Sequence, residues 1–383
     1  MNNCTLIIDG NWLLMSRLGI VIKNFDKQNT PDTLQRAQDD LVDFLAQSVN
    51  KIINYFDGCI DNILMVQDGG SWRKSFPKPK LYTDVYKGNR ESDEEIEWTY
   101  IWNGLNQFCQ NFHREGITCT QERSIEGDDW IWFWSRQLNQ EGCNVIIWSS
   151  DCDLKQLIQY DEINRSWTAW FNDRAGLWIH DRFDTSSMSD ADLFMFEFDA
   201  IPRTIASVIN NVSMRGDKVN YINPDDIRME KIICGDAGDN IKSVVRTETH
   251  KIDKKTGKEK TIVKRVSEKE WNAIKENMDI SNLEEFLEAK DDILKTLKQL
   301  SRHKSNKDSY EDISEMFQYN LHMVILDEKY IPEEQKNLML AQRDDYKMID
   351  LNYLKNNYKV LGSRSNQQTI ENIFEDIPDI DVF

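Results

Sequence analysis

The chain has 383 residues, is 40% hydrophobic and 30% charged, and carries a formal net charge of -19 at neutral pH. That length accommodates two domains with cores of their own, and the balance excludes a disordered chain. No apolar run reaches the ~18 residues a membrane span needs, and no basic, apolar, small-residue leader opens the sequence, so a cytoplasmic protein without a membrane partner is expected.

Seven cysteines without a CxxC pair point to reduced thiols, neither a disulfide framework nor a zinc site. Taken in order, CTLIIDGN (4 to 11) is an apolar run ending at Asp9 and a glycine. TPDTLQRAQDDLVDFLAQSVNKIINYF follows, with Leu34, Leu41, Phe44, Leu45, Val49 and Ile52 at helical spacing. NILMVQDGG (62 to 70) is a second strand, ending at Asp68.

Residues 71 to 100 break the alternation of strands and helices with two prolines and, between 73 and 90, a basic clump, Arg73, Lys74, Lys78, Lys80, Lys87 and Arg90, against Asp84 alone. Such a patch attracts phosphate whatever the net charge of the whole chain, and Tyr82 and Tyr86 are placed to stack on an unpaired base.

ITCTQERSIEGDDWIWFW (117 to 134) gives a strand, a loop, and Glu126, Asp128 and Asp129 at the start of an apolar helix, where acids suit the positive end of the dipole. Trp130 to Trp134 are expected in the core. CNVIIWSSDCDLKQLI (143 to 158) carries four apolar residues into a turn holding Asp151 and Asp153, the pattern of a buried parallel strand with an acidic tip. SWTAWFNDRAGLWIH (166 to 180) reads as two short strands about an Asn172-Asp173 turn. Residues 181 to 222 are expected to hold a helix or two and no chemistry.

NPDDIRMEKIICGDAGDNI (223 to 241) reads as a helix capped by Asn223 with Pro224 in its first turn, stopping in a loop with Asp236 and Asp239. A second basic clump follows between Lys242 and Arg265, with Lys254 and Lys255 beside a Thr256-Gly257 turn. Residues 268 to 355 read as helices with charged faces. The last 13 residues hold five acids.

Nine carboxylates (Asp9, Asp68, Glu126, Asp128, Asp129, Asp151, Asp153, Asp236 and Asp239) therefore fall at element ends that a doubly wound sheet brings to one edge, where ligands bind in open α/β sheets. Like charges so gathered repel unless protonated or offset. A hard divalent cation, Mg²⁺ or Mn²⁺, is the occupant that oxygen ligands select.

IIDGN, VQDGG followed by WRK, VYKGNR, EGDD, SSDCDLKQL and GDAGDN stand in an order that resembles the flap endonuclease and 5′-to-3′ exonuclease family, and within it the T-even phage ribonuclease H group. The similarity covers residues 4 to 245 by motif, and more weakly YNLHMVILDEKYIPEEQKNLM (319 to 339).

The resemblance implies a PIN-like, Rossmann-like, mostly parallel sheet flanked by helices, partitioned as a nuclease core (1–240, with a helical arch at about 71–100 and an insertion at 181–222), a helix-rich duplex-binding domain (241–361) and an acidic tail (362–383). It implies two metal ions roughly 4 Å apart. Asp9, Asp68, Glu126 and Asp128 would hold the first, with Asp129 close by; Asp151, Asp153, Asp236 and Asp239 would hold or orient the second.

On the same basis Lys87 and Arg90 contact the scissile phosphate, Arg73 and Lys74 add to them, and Lys242, Lys254 and Lys255 hold the duplex. The family's Gly-Ile-Gly hairpin is missing, and a lysine-rich stretch replaces it. The expected activity is a metal-dependent 5′ nuclease on nicked, flapped or RNA-primed duplexes, in a monomer working in the cytoplasm of a bacterial host. A PIN-like endoribonuclease and a catalytically silent structure-specific DNA-binding protein are the alternatives. Gln367, Ile370, Ile373, Phe374 and Phe383 mark a tail expected to dock on a sliding clamp or a single-strand-binding protein.

Overall fold

The computed structural model describes residues 3–80, 82, 84–89, 93–184, 203–252, 259–300, 303 and 306–363. The chain forms two compact units that are not contiguous in sequence. The first takes the described residues up to Ser71, from Ser92 to Ile222, and from Pro332 on; the second takes those from Trp72 to Glu91 and from Asn223 to Ile331. The chain thus crosses between units near residues 72, 92, 223 and 332, whereas the sequence partition cut it at 240 and 361.

The first unit is a sheet of eight strands among the described residues: β1 (Cys4–Asp9), β2 (Asn62–Val66), β3 (Cys119–Thr120), β4 (Asn144–Trp148), β5 (Gln159–Asp161), β6 (Ser166–Asn172), β7 (Gly176–His180) and β8 (Val219–Ile222). Their order is β3-β2-β1-β4-β6-β7-β8, with β5 added beside β6. Pairing is parallel from β3 to β6 and between β7 and β8, and antiparallel between β5 and β6 and between β6 and β7. The mostly parallel α/β class expected from the sequence is present.

Every residue of β1, β2 and β4 is buried, as unbroken apolar strands require when helices cover both faces of a sheet. Among the described residues up to Ile222, five helices belong here: α1 (Gly10–Val21), α2 (Pro31–Tyr55), α3 (Trp98–Arg114), α4 (Gly127–Gln140) and α5 (Arg203–Met214). Thr30 caps α2 and Pro31 sits in its first turn, where a missing N–H costs nothing. Leu41, Leu45 and Val49 of α2 and Leu105, Phe108 and Phe112 of α3 share one core with Leu6, Ile8, Ile146 and Trp148 of the sheet. Helix α4 packs on β1, β2 and β4, and its Trp130, Ile131 and Trp134 are buried; the aromatic run is core, as expected.

In the second unit Asn223 caps α6 (Pro224–Cys234) through the Asp225 N–H. An antiparallel hairpin, β9 (Arg246–Ile252) and β10 (Glu259–Arg265), follows. Four helices come next: α7 (Glu268–Asn277), α8 (Leu283–Glu288), α9 (Lys290–Gln299) and α10 (Tyr310–Val324). Reciprocal capping boxes, Ser267 with Glu270 and Ser309 with Asp312, start α7 and α10. Ile232, Trp271, Phe286, Leu294 and Phe317 form the core.

The helical arch expected at about 71–100 lies partly outside the described residues; those of the arm from Trp72 to Asn89 contain one short 3₁₀ turn, Trp72–Ser75, and no α-helix. Pro77 and Pro79 remove donors and clash with a preceding helical turn.

Residues from Pro332 on return to the first unit with α11 (Glu333–Ala341) and α12 (Leu351–Asn357). Tyr346 Oη lies 2.8 Å from Thr5 Oγ1. Asn111 Nδ2 donates to the Leu361 carbonyl at 2.8 Å, and Leu354 and Leu361 join the sheet-side core.

Candidate functional site

Strand β1 lies between β2 and β4, and the chain order reverses there, the place where open α/β sheets bind ligands outside the carboxyl ends of their strands. The register pairs Asp9 with Val66 and Ile8 with Trp148. Asp68 is two residues past Val66 and Asp151 three past Trp148, so three neighbouring parallel strands run out into Asp68, Asp9 and Asp151 at one edge.

Each is aimed by short bonds. Asp9 Oδ1 accepts from the Trp12 N–H at 2.9 Å, capping α1, and Oδ2 accepts from Ser149 Oγ at 2.7 Å. Ser149 Oγ in turn accepts from the Asp151 N–H at 3.0 Å, so one buried hydroxyl links two of the acids. Asp151 Oδ1 accepts from the Asp153 N–H at 2.8 Å, which starts the 3₁₀ turn Cys152–Leu157 and fixes the spacing of the pair.

Asp68 is held from both sides. Its N–H donates to Asn11 Oδ1 at 3.1 Å, and its Oδ1 accepts from the Gly127 N–H at 2.5 Å. Asp68 thereby caps the first turn of α4, the helix that brings Glu126, Asp128 and Asp129. A Cβ on Gly127 would stand 2.9 Å from Asp68 Oδ1, so a larger residue here would push the Asp68 carboxylate out of place. Glu126 and Asp129 are buried, Asp128 and Asp153 half-buried, and Asp151 exposed.

The electrostatic signature is clearest at Asp9. Burial, opposed by its two hydrogen bonds and reinforced by the charges of Asp68 and Asp151, raises its pKa from 3.8 to about 7. Among the described residues, no group of three or more His, Cys, Asp or Glu side chains closes into a metal cage. The acids form an open edge within mutual electrostatic reach, and the donors that meet there are carboxylate and hydroxyl oxygens. This donor set fits a hard divalent cation in preference to zinc or copper. Cys152, the exposed thiol in the turn, stands between Asp151 and Asp153 in sequence.

Asp236 and Asp239 fall in the second unit. Asp236 Oδ2 pairs with Lys231, and Oδ1 accepts from the Gly238 N–H at 2.8 Å. Asp239 Oδ2 accepts from Tyr86 Oη at 3.0 Å and faces Lys87 Nζ at 4.0 Å. The Asp239 carbonyl receives the Lys87 N–H at 3.0 Å, and Lys87 adopts a left-handed φ of 55°. In this unit, therefore, Asp236 is engaged by a basic group and a backbone amide, and Asp239 by a basic group and a hydroxyl.

The arm tyrosines are corrected from base-stacking to packing positions. Tyr82 and Tyr86 are each 3% exposed. Tyr82 lies against Tyr319 with ring centroids 4.8 Å apart, and its Oη donates to the Asn240 carbonyl at 2.6 Å. Arg73 is likewise buried, with Nε donating to the Met323 carbonyl at 3.1 Å and its guanidinium over the Trp72 ring. Desolvated side chains so placed contribute to packing before they contribute to a substrate contact. Lys74 is exposed, and Lys242 pairs with Asp84 at 3.1 Å. Arg90, Lys254 and Lys255, and the tail residues Gln367, Ile370, Ile373, Phe374 and Phe383, lie outside the described residues.

Ser149 and Asn11 are parts of the site that the acidic motifs alone do not reveal. Their signal was present in SSDCD and IIDGN, where a small polar residue stands two positions from an acid.

No protein-family model matches the chain, and no curated protein does. Among solved structures, a bacteriophage T5 protein co-crystallised with metal ions aligns over 94% of this chain and 99% of its own, at 15% identity and a TM-score of 0.48. A bacteriophage T5 flap endonuclease in a pseudo-enzyme–product complex with DNA and metal ions gives the same coverage, 94% and 99%, at 15% identity and a TM-score of 0.48. T5 5′-exonuclease with bound zinc aligns over 94% and 99% at 15% identity and a TM-score of 0.44.

Proposed function

We propose that the chain is a divalent-metal-dependent 5′ nuclease of the flap endonuclease and 5′-to-3′ exonuclease type, in the manner of the phage ribonuclease H group, removing RNA primers and 5′ flaps from duplex DNA. The observation that carries this reading is the run-out of three adjacent parallel strands into Asp68, Asp9 and Asp151, with Asp9 buried and its pKa raised to about 7. A fold that bears this cost at neutral pH has an obvious use for a cation.

Mg²⁺ or Mn²⁺ would be held by Asp9, Asp68, Glu126, Asp128, Asp129, Asp151 and Asp153, two ions in the form the motifs imply. Bound there, such ions supply Lewis-acid polarisation of the phosphodiester and a nucleophile at neutral pH. The protein's own contribution is to fix the acids in advance. Ser149 orients Asp9 and Asp151, and the Gly127 N–H orients Asp68.

Lys87 and Arg90, with Lys74, are the cations assigned to the phosphate, where positive charge stabilises the negative charge that grows in the transition state. Asp239 faces Lys87 across a loose 4.0 Å pair, with which a phosphate would compete. Lys242, Lys254 and Lys255 are assigned to the duplex backbone, and the tail to a sliding clamp or single-strand-binding protein.

The test is digestion of 5′-labelled flap, nicked-duplex and RNA/DNA hybrid substrates with and without Mg²⁺, with Asp153→Ala beside the wild type. Short 5′ products from the wild type alone are expected. Tight binding without cutting by both proteins would replace the nuclease with a silent DNA-binding protein, and cutting confined to single-stranded RNA would replace it with a PIN-like endoribonuclease.

A further inference from the structure

The turn that presents Asp151 and Asp153 is followed at once by Lys155, a basic side chain only 8% exposed. Its ammonium lies 3.6 Å from the ring centroid of Trp178 and 4.7 Å from that of Trp170. The two indoles stand at 74° to each other with centroids 6.5 Å apart, so they form a corner around the cation. Among the described residues no carboxylate pairs with it.

A buried cation without an acid is expensive unless something replaces its water. Indole faces are the best aromatic substitutes. The corner is also rigid, because Trp170 of β6 and Trp178 of β7 are directly paired across the antiparallel ladder.

Asp151 and Cys152 are exposed and Asp153 is half-buried; the Asp151 N–H donates to Ser149 Oγ and the Asp153 N–H to Asp151 Oδ1. Leu154 and Leu157 anchor the turn by apolar packing, which sets its depth but has little directional preference. The ammonium in its corner adds a directional fastening two residues beyond Asp153.

We propose that Lys155 is a positioning residue: seated between Trp170 and Trp178, it fastens the Cys152–Leu157 turn so that Asp151 and Asp153 face the edge of the sheet in one geometry. That the fastened acids serve a metal rests on the nuclease reading; the fastening itself does not. A lysine here is thus part of the site's specification, although it touches neither substrate nor ion.

The experiment compares K155M, which keeps the length and loses the charge, with K155R, which keeps a cation able to stack on indole. Backbone hydrogen exchange at Asp151, Cys152, Asp153 and Leu154 is measured in EDTA, and Mn²⁺ affinity is measured by titration without nucleic acid. K155M is expected to exchange about tenfold faster at these amides and to bind Mn²⁺ about fivefold more weakly or worse, with K155R within about threefold of wild type in both.

Exchange in K155M at the wild-type rate, or in K155R as fast as in K155M, would overturn the proposal. W178L removes one wall of the corner at a half-buried position, and is expected to reproduce the K155M exchange pattern; it decides the matter if K155M does not fold. Wild-type protein that fails to bind Mn²⁺ would sink the metal-site reading while the exchange comparison still judges the fastening.

Discussion

Replacing Asp9 by asparagine removes a charge while keeping shape, and the structure gives the sign of the effect. Asparagine is as good a helix N-cap as aspartate, so the bond from the Trp12 N–H can survive. What is lost is a carboxylate that burial, chiefly, and then Asp68 and Asp151 hold at a pKa of about 7 against an ordinary 3.8.

The folded chain therefore keeps this proton while the unfolded chain releases it. Stability from this group is complete below about pH 4 and is lost progressively as the pH rises to about 7, reaching a plateau above. A shift of roughly three units corresponds to an upper bound of about 4 kcal/mol at pH 8, and to less than half of that at pH 5. Screening and the altered bond to Ser149 reduce the net gain to about 1–3 kcal/mol, or roughly 3–8 °C in Tm.

Asp9→Asn is thus expected to melt higher than wild type in EDTA at pH 8 and to lose most of that advantage at pH 5, as read by scanning calorimetry. With saturating Mn²⁺ the order should reverse, because the cation stabilises only the wild type. A variant that melts lower than wild type at pH 8 in EDTA, or whose advantage is the same at both pH values, would show that Asp9 is not held protonated by burial.

Gly127→Ala places a methyl 2.9 Å from Asp68 Oδ1; although alanine favours helix by about 1 kcal/mol elsewhere, here cleavage should fall about tenfold or more, measured as initial rate at saturating Mg²⁺. Tyr82→Phe and Tyr86→Phe should each cost about 1 kcal/mol of stability by denaturant titration, with substrate KM unchanged, because these hydroxyls bond to Asn240 and Asp239. Lys87→Ala should lower kcat by roughly 10²–10³-fold if the cation serves the transition state. Its effect on stability should stay within about 1 kcal/mol, since the Asp239 pair at 4.0 Å is loose and partly solvated. Deletion of residues 364–383 should leave cleavage of naked substrate intact and abolish stimulation by a sliding clamp, compared in paired assays.

The sheet and its acidic edge were legible because the physics is local and repeated. Val145 to Trp148 is too short for a helix and apolar on both faces, and the same pattern recurs in β1 and β2 with an aspartate just where burial ends. Asn223-Pro224 announced a helix start for an equally local reason.

What escaped was long-range. Nothing near Tyr82 in the chain says that Tyr319 will cover it, and nothing near Thr5 says that Tyr346 will reach it. Basic and aromatic residues in a proline-broken segment look the same whether they face a ligand or the protein's own body. The engagement of Asp239 by Tyr86 and Lys87 depends on the arm folding back within its unit, which spacing does not encode. Lys155 was invisible because its partners are two ring faces on a hairpin more than a dozen residues later.

The most direct test of the account is the binding of Mn²⁺ to metal-free wild type, Asp9→Asn and Asp151→Asn at pH 8, followed by calorimetry without nucleic acid. Saturable binding by the wild type, weakened at least tenfold in each variant, is the predicted result. Equal binding by all three proteins, or none by the wild type, would contradict the claim that the carboxyl ends of β2, β1 and β4 form a cation site.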